Sequence, residues 1–533
     1  MQNRARLLLL ALPLVFLLLV LVAPALRLLG EAGPLAWWEP WADPYLRGRI
    51  VWTFAQAALT CMLALMLGLP LAWVFARWEF AGRTVLLRTL MLPFVVPTLV
   101  AAMGVLTLWG PQGISVTLGG PNLQGSPWLL LYGNLFFNLC LVVRAATDAL
   151  EQVSASRVAA ARTLGASPWR AFWRVEWPAI APWLMSAQCL VFLYCFSGFG
   201  MALVLGGHEY ATVEVEIYTL VAHELQLASA GVLALWMVLL TGLVALVYAA
   251  IERRLANPAR ADTVQRRRPS GVGQWVVLAG ALMVWALFCA APLAAIVWRA
   301  LMAGSGAWSV LLEENTWQAL WNTLRFSALA VACATMLGLA HALAARQSLV
   351  LRTLAFLPFV VSPVAVAFGL LLLYPQWTAS MALLVAAYTL LAYPFVAKSV
   401  AAGLDSVPIH LLQVARTLGA TPWRVFWCVT LPMLRPALMR GVAFAAATAV
   451  GEFAVTLFLS RPEWATVTTL MYERLGRPGV GNRDAAMVLA CLLMALALFV
   501  FVLIERLATP RFVQNGGDDG APKTAVSAEY LHA

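Results

Sequence analysis

Long uncharged stretches alternate with short polar ones along nearly the whole chain, and the stretches repeatedly reach the roughly 20 residues that cross a bilayer as helix. Hydropathy predicts spans near 7–28, 50–76, 87–109, 127–147, 184–205 and 229–251, then near 275–298, 319–345, 352–373, 382–400, 437–459 and 486–506. Between the two sets a charged stretch runs from Glu252-Arg253-Arg254 to Arg266-Arg267-Arg268, read as a linker over 252–274. Beyond the last span, 508–533 with Gly516-Gly517-Asp518-Asp519-Gly520 reads as a disordered tail. The expected fold class is all-α: a polytopic membrane protein of about 12 transmembrane helices in two parallel six-helix halves, 1–251 and 275–507. The opening run, Leu7 to Leu26 behind Arg4 and Arg6, also has the outline of a signal peptide. It outruns the roughly 7–15-residue core of such a peptide, and Pro24 sits at the cleavage point, so a retained span is expected.

One polar interruption occurs twice. Arg162-Thr163-Leu164-Gly165-Ala166-Ser167-Pro168-Trp169-Arg170-Ala171-Phe172-Trp173 returns as Arg416-Thr417-Leu418-Gly419-Ala420-Thr421-Pro422-Trp423-Arg424-Val425-Phe426-Trp427. The same displacement relates Leu150 to Leu404, Ala161 to Ala415 and Pro178 to Pro432, and such self-similarity signals a duplicated structural half. Each copy spells helix, break, helix. Gly165 and Gly419 suit the left-handed C′ position, and Ser167 and Thr421 suit N-caps ahead of Pro168 and Pro422. Trp169, Phe172 and Trp173 fall on one face beside Arg170 and Arg174. The prediction is an elbow of two short helices in each of the loops 148–183 and 401–436, its aromatic rings anchoring it to its own bundle. A helix resting on lipid headgroups is the plainer alternative. The duplication extends into the spans, where Leu92-Pro93-Phe94-Val95-Val96 answers Leu357-Pro358-Phe359-Val360-Val361.

Composition sharpens this picture. The chain has 533 residues, 62% of them hydrophobic and 11% charged. Its net charge of +11 is almost wholly arginine, since Lys398 and Lys523 are the only lysines. The arginines gather in the linker and the repeated loops, whereas 207–228 holds Glu209, Glu214, Glu216 and Glu224 with no Lys or Arg. The positive-inside rule then places both termini, the linker and both elbows in the cytoplasm, with nucleic-acid binding unneeded as an explanation. The acidic loop is expected outside, as a solvated face or a surface for a binding protein. The eight cysteines lie singly with no CxxC pair, which fits packing and gives no metal site.

The repeated loop resembles the cytoplasmic motif of type I ABC importer permeases: Glu-Ala-Ala, three residues, Gly, nine residues, Ile, one residue, Leu-Pro. Ala160, Ala161, Gly165, Val175 and Pro178 match in the first copy, and Ala415, Gly419, Val429, Leu431 and Pro432 in the second. The leading Glu is replaced by Ala159 and Gln413, and Trp177 stands where Leu precedes Pro178. The resemblance covers two fused half-permeases. It implies coupling helices, carrying Gly165, Ala166, Ser167, Pro168, Trp169 and Arg170 and again Gly419, Ala420, Thr421, Pro422, Trp423 and Arg424, that seat in two copies of an ABC ATPase. It also implies a periplasmic substrate-binding protein and residence in a bacterial inner membrane. Neither lysine lies in a Gly-x4-Gly-Lys-Ser/Thr frame, so ATP and magnesium belong to the partner and no cofactor or catalytic residue is expected on this chain.

The fused plan resembles bacterial thiamine and iron(III) permeases. Phe136-Phe137-Asn138-Leu139, Val175-Glu176-Trp177-Pro178 and Thr212-Val213-Glu214-Val215-Glu216-Ile217-Tyr218 are similar to stretches of thiamine permeases, with iron(III) and polyamines as alternatives. A small cation is consistent with Glu452, which sits inside the eleventh predicted span at the position equivalent to Gly198 beside Ser197. An intramembrane carboxylate marks either a pathway or a bundle-stabilising contact. Asn138 could line the path or bond a neighbouring helix, and Tyr132, Tyr194, Trp109 and Trp236 could stack on an aromatic solute or simply pack. His341 is expected at a helix interface. Pro93, Pro97, Pro358 and Pro363 are expected to kink the third and ninth spans. A parallel-repeat secondary transporter shares the span count but has no use for two docking elbows. The scattered histidines offer no enzyme centre.

Overall fold

The computed structural model describes residues 2–32, 37–252, 265–346, 348–378, 380–459 and 461–508. The tail beyond Ala508 and linker residues 253–264 lie outside the described residues. Eleven helices among them are long and apolar enough to cross a membrane, and a bent pair, Leu351–Phe359 and Pro363–Leu373, makes a twelfth. The protein is an all-α membrane protein built from a duplicated half.

Proline decides where the spans depart from their predicted form. Each of four π-helical turns, Leu18–Val22, Phe172–Glu176, Ala286–Ala290 and Phe426–Thr430, is followed after one residue by a proline: Pro24, Pro178, Pro292 and Pro432. A proline has no N–H for the preceding turn, so that turn widens and the helix continues. The third and ninth spans, expected as kinked but continuous, are instead broken. Arg83–Thr89, Leu92–Val95 and Thr98–Trp109 follow one another around Pro93 and Pro97. The equivalent pieces around Pro358 and Pro363 turn through 92°. The fifth and eleventh spans also differ: helices Trp177–Phe196 and Leu431–Val450 stop at Ser197 and Gly451, and short helices Gly200–Leu205 and Ala454–Leu459 resume beyond. Glu452 therefore sits at a break and not inside a continuous helix.

The acidic segment 207–228 is solvated only at its ends, where Glu209 and Glu224 are exposed. It carries the helix Val213–Ala222, in which Glu214 and Glu216 are buried. Arg49, on the second span, donates to the carbonyls of His208 (2.7 Å) and Glu209 (2.6 Å) and to the Tyr45 hydroxyl (2.9 Å), which in turn donates to Glu216 (3.0 Å). Glu214 accepts from the Ser362 hydroxyl at 2.8 Å, across to the second half. The duplicate helix, Val467–Gly476, is held in the matching way. Thr53 accepts from the Val213 N–H at 2.9 Å, and Thr323 accepts from the Val467 N–H at 3.0 Å.

The halves exchange their first spans. Gln2–Leu17 packs on Glu314–Ala345 and Ala23–Ala32 on Pro363–Leu373, while Ala291–Met302 packs on Thr98–Trp109. A glycine admits a proline at each crossing. A Cβ on Gly369 would come within 2.9 Å of the Pro24 ring, and one on Gly104 within 2.6 Å of the Pro292 carbonyl oxygen. Part of the linker is equally fixed. The Arg267 N–H bonds the Arg77 carbonyl (3.0 Å), the Glu79 N–H bonds the Arg267 carbonyl (3.1 Å), and Arg266 pairs with Glu151 (2.9 Å) and Glu79 (3.5 Å).

Candidate functional site

The four helix breaks converge. Val96-Pro97 and Ser197-Gly198-Phe199 from the first half, with Val361 and Gly451-Glu452-Phe453 from the second, line a cavity of about 220 Å³ between the halves. Close approach holds the breaks together: a Cβ on Gly451 would lie 3.0 Å from the Cα of Pro97, and one on Gly200 2.9 Å from the Thr98 hydroxyl. Broken helices of this kind belong where backbone lines a cavity and are otherwise excluded from a bilayer interior. The walls are mostly apolar and carry seven aromatic rings: Phe94, Phe137, Tyr194, Phe199, Phe359, Phe395 and Phe453. Phe199 and Phe453 stack on each other with centroids 5.8 Å apart.

Polar atoms in this wall are few. Glu452 accepts the Val455 N–H at 3.0 Å through Oε1, so its carboxylate caps the resumed helix Ala454–Leu459, and its carbonyl accepts from Thr468 at 2.9 Å. Asn138 donates from Nδ2 to the Asn134 carbonyl at 3.0 Å and to the Cys195 sulfur at 3.3 Å. Its Oδ1 is buried without a protein partner. Of the residues offered for the pathway, Asn138, Tyr194, Ser197 and Glu452 stand in the cavity wall. Tyr132 does not. It packs against Trp109 and Phe288 and donates to the Leu287 carbonyl at 2.5 Å, an inter-helix contact with the exchanged seventh span. Trp236 packs in an aromatic cluster with Trp38 and Trp41, and His341 bonds Tyr393 and the Leu351 carbonyl. Sequence reasoning missed Asn134, Phe94 and Phe359 in the wall; their place follows from the breaks at Pro97 and Ser362, which hydropathy averages away.

At one end of the bundle stand the two elbows. Helices Ala155–Thr163 and Ile409–Thr417 end in matching left-handed glycines, Gly165 at φ 83° and Gly419 at φ 78°. The Ala166 N–H bonds the Ala161 carbonyl at 3.0 Å and the Ala420 N–H bonds Ala415 at 3.1 Å, the long reversed bond of a Schellman cap. Ser167 then accepts from the Arg170 N–H (3.3 Å) and Thr421 from the Arg424 N–H (3.4 Å). After this cap the elbow departs from expectation. Its second helix is not a short piece lying on the bundle, because Pro168–Ala171 runs on through the π turn into the fifth span, and Pro422–Val425 into the eleventh. Of its rings, Phe172 is partly buried against the bundle core, whereas Trp169 and Trp173 are exposed. Trp169, Trp173 and Trp177 stack along their own helix at 5.5 and 5.2 Å. Trp169 and Trp423 stay 69% and 71% exposed. In the first half a buried ion pair ties this helix to the bundle, Arg77 to Glu176 at 2.9 Å. Ala160, Pro168, Arg170, Pro178, Pro422, Arg424 and Pro432 are exposed as well, leaving both elbows open to a partner.

The sequence description of the binding-protein-dependent transport system inner membrane component matches this chain twice, over residues 64–257 and 330–514. The chain belongs to that family. Each matched stretch contains one elbow and its half of the cavity wall, and the exchanged first spans of the two halves fall outside both. As a member of the family it is the multi-pass inner-membrane permease component of an ABC importer, which works with a substrate-binding protein and an ATPase. Relatives match at nearly full length. The thiamine transport system permease protein ThiP of Escherichia coli K12 is 29% identical over 92% of this chain and 94% of its own. The protein of that name from Haemophilus influenzae is 27% identical over 88% of this chain and 90% of its own. The sulfate transport system permease protein CysW of Synechocystis is 32% identical, over 38% of this chain and 76% of its own.

Proposed function

We propose that this permease carries thiamine, or thiamine phosphates, from a periplasmic binding protein into the cytoplasm. The observation that carries the reading is the alignment of thiamine permeases along about nine-tenths of both chains. The cavity supports it. A thiazolium ring is a flat organic cation, and the wall offers aromatic faces for cation–π contact with a single carboxylate, Glu452, and no Lys, Arg or His.

The elbows are the coupling elements. One ATPase copy seats on each, with Trp169 and Trp423 entering its cleft, and both elbows face the cytoplasm together with the termini. Because each elbow is continuous with a span that ends at a cavity break, Ser197 or Gly451, closure of the ATPase pair moves the elbow and the break as one lever. ATP-driven closure then shifts the population between states open to either side.

Reconstitution with the cognate ATPase and binding protein tests this. Thiamine-stimulated ATP hydrolysis is expected. Stimulation by ferric ion in its place would move the assignment to an iron(III) permease, and uphill transport by this chain alone would make it a secondary transporter.

A further inference from the structure

The short helix Val213–Ala222 shows different chemistry to the two halves. It is held at the start of the second span, where Tyr45 and Arg49 meet Glu216. The other end of that span, Arg77, pairs with Glu176 behind the first elbow, so the short helix stands on the far side of the bundle from the elbows. Glu214 and Tyr218, one turn apart on a face away from Glu216, reach the second half. Tyr218 packs edge-on against Phe458 at 5.3 Å, and Glu214 accepts from the Ser362 hydroxyl at 2.8 Å. Ser362 stands at the ninth-span break and also accepts the Ala365 N–H at 3.0 Å, capping Pro363–Leu373. The duplicate helix has no matching bond. Its residue at the position of Glu214 is Thr468, which donates to the Glu452 carbonyl of its own half at 2.9 Å, and Pro97 stands where Ser362 does.

Glu214 is a poor choice for filling space. It is fully buried, Ser362 is its side-chain partner among the described residues, and its Oε1 has no protein partner. Both forms of the group are better served by water: the carboxylate regains hydration, and the acid finds an acceptor for its proton. A leucine of similar size would fill the site without that cost. We propose that the burial of Glu214 between the halves drives them to part on the far side, and that the Ser362 hydroxyl is the catch that holds them shut. Resting on the lever reading above, ATPase closure releases the catch and hydrates the carboxyl, and resetting buries it again. Glu214 and Ser362 are thus positioning residues that set the balance between the two states.

The test reads basal ATP hydrolysis by the permease reconstituted with its cognate ATPase, with neither solute nor binding protein present. Ser362→Ala leaves the buried carboxyl without its partner and should raise the basal rate roughly tenfold, the size of one hydrogen bond to a buried acceptor. Adding Glu214→Leu removes the group whose burial drives opening, so the double variant should return to the wild-type rate or below it. An unchanged rate in Ser362→Ala overturns the proposal. So does a double variant as active as Ser362→Ala, the result expected if loss of the helix cap were the whole effect. Should Ser362→Ala not assemble, Glu214→Leu alone should lower binding-protein-stimulated hydrolysis by roughly tenfold, and wild-type stimulation overturns the proposal. A wild type that thiamine fails to stimulate would overturn the substrate reading alone, because the basal comparison uses no solute. If no variant hydrolyses ATP, the lever reading falls, and hydrogen exchange over Val213–Ala222 in the same membranes decides the pair. Ser362→Ala should then speed that exchange and the double variant should not; equal exchange in wild type and Ser362→Ala overturns the catch.

Discussion

Phe199 and Phe453 hold the same position in the two halves, and their rings stack on each other, 5.8 Å between centroids at an interplanar angle of 24°. Each follows a helix break, and each rests on a tyrosine of its own half's buried short helix, Phe199 on Tyr218 and Phe453 on Tyr472. A pseudo-symmetric pair of rings thus spans the cavity at the junction of the halves. If the two breaks move apart during transport the pair unstacks, and it would then act as a gate coupled to the proposed lever.

Removing one ring should leave that gate ajar. In proteoliposomes loaded with labelled thiamine, Phe199→Ala and Phe453→Ala are expected to increase efflux in the absence of ATP, with the double variant the leakiest. Retention equal to wild type in both single variants would exclude the pair as a gate.

Glu452 caps the helix Ala454–Leu459, and under the thiamine reading its charge would also meet the cargo. Glu452→Gln keeps an oxygen for the Val455 N–H but removes the charge, so thermal stability should hold while the KM for thiamine rises by roughly tenfold, the worth of one lost charge contact. Glu452→Ala removes the cap too and should cost about a further 1 kcal/mol of stability. Equal KM values for wild type and Glu452→Gln would leave the carboxylate with the capping duty alone.

At the elbows the left-handed glycines carry the turn. A β-branched residue at Gly165 or Gly419 faces open space but must adopt a positive φ, at a cost of roughly 1–2 kcal/mol. Gly165→Val and Gly419→Val should insert and purify normally and lose thiamine-stimulated ATP hydrolysis. The check is the ratio of stimulated to basal hydrolysis beside membrane yield.

The crossings of the exchanged spans should tolerate no side chain. Gly369→Leu and Gly104→Leu drive carbon into the Pro24 ring and the Pro292 carbonyl, and overpacking of that kind costs about 1–3 kcal/mol. Lower melting temperatures in detergent are expected for both. The exposed Gly280, where a Cβ would meet nothing, is the control site.

Much of this molecule could be read before its coordinates. The spans followed from hydropathy, and the elbows followed from punctuation, since Gly165, Ser167 and Pro168 each leave one sensible backbone and the second copy repeats them. What hydropathy hid has physical reasons. A window average does not see that Pro97 and Ser362 end helices inside an apolar run. It also scores Glu214 and Glu216 as solvated, because the groups that contact them, Ser362, Tyr45 and Arg49, are remote in sequence. Trp169 lies on an apolar helical face, a pattern that by itself suggests an inward anchor, yet the ring is exposed. Tyr132 had the right chemistry for stacking on a solute, and a neighbouring span already occupies its ring.

The swapped opening spans impose an order on biosynthesis. Thr98–Trp109 enters the bilayer with a groove at Gly104 that stays unfilled until Pro292 leaves the ribosome. Pro24 likewise waits for Gly369, more than half of this sequence later. A first half made alone therefore lacks the packing that the seventh span supplies at Gly104.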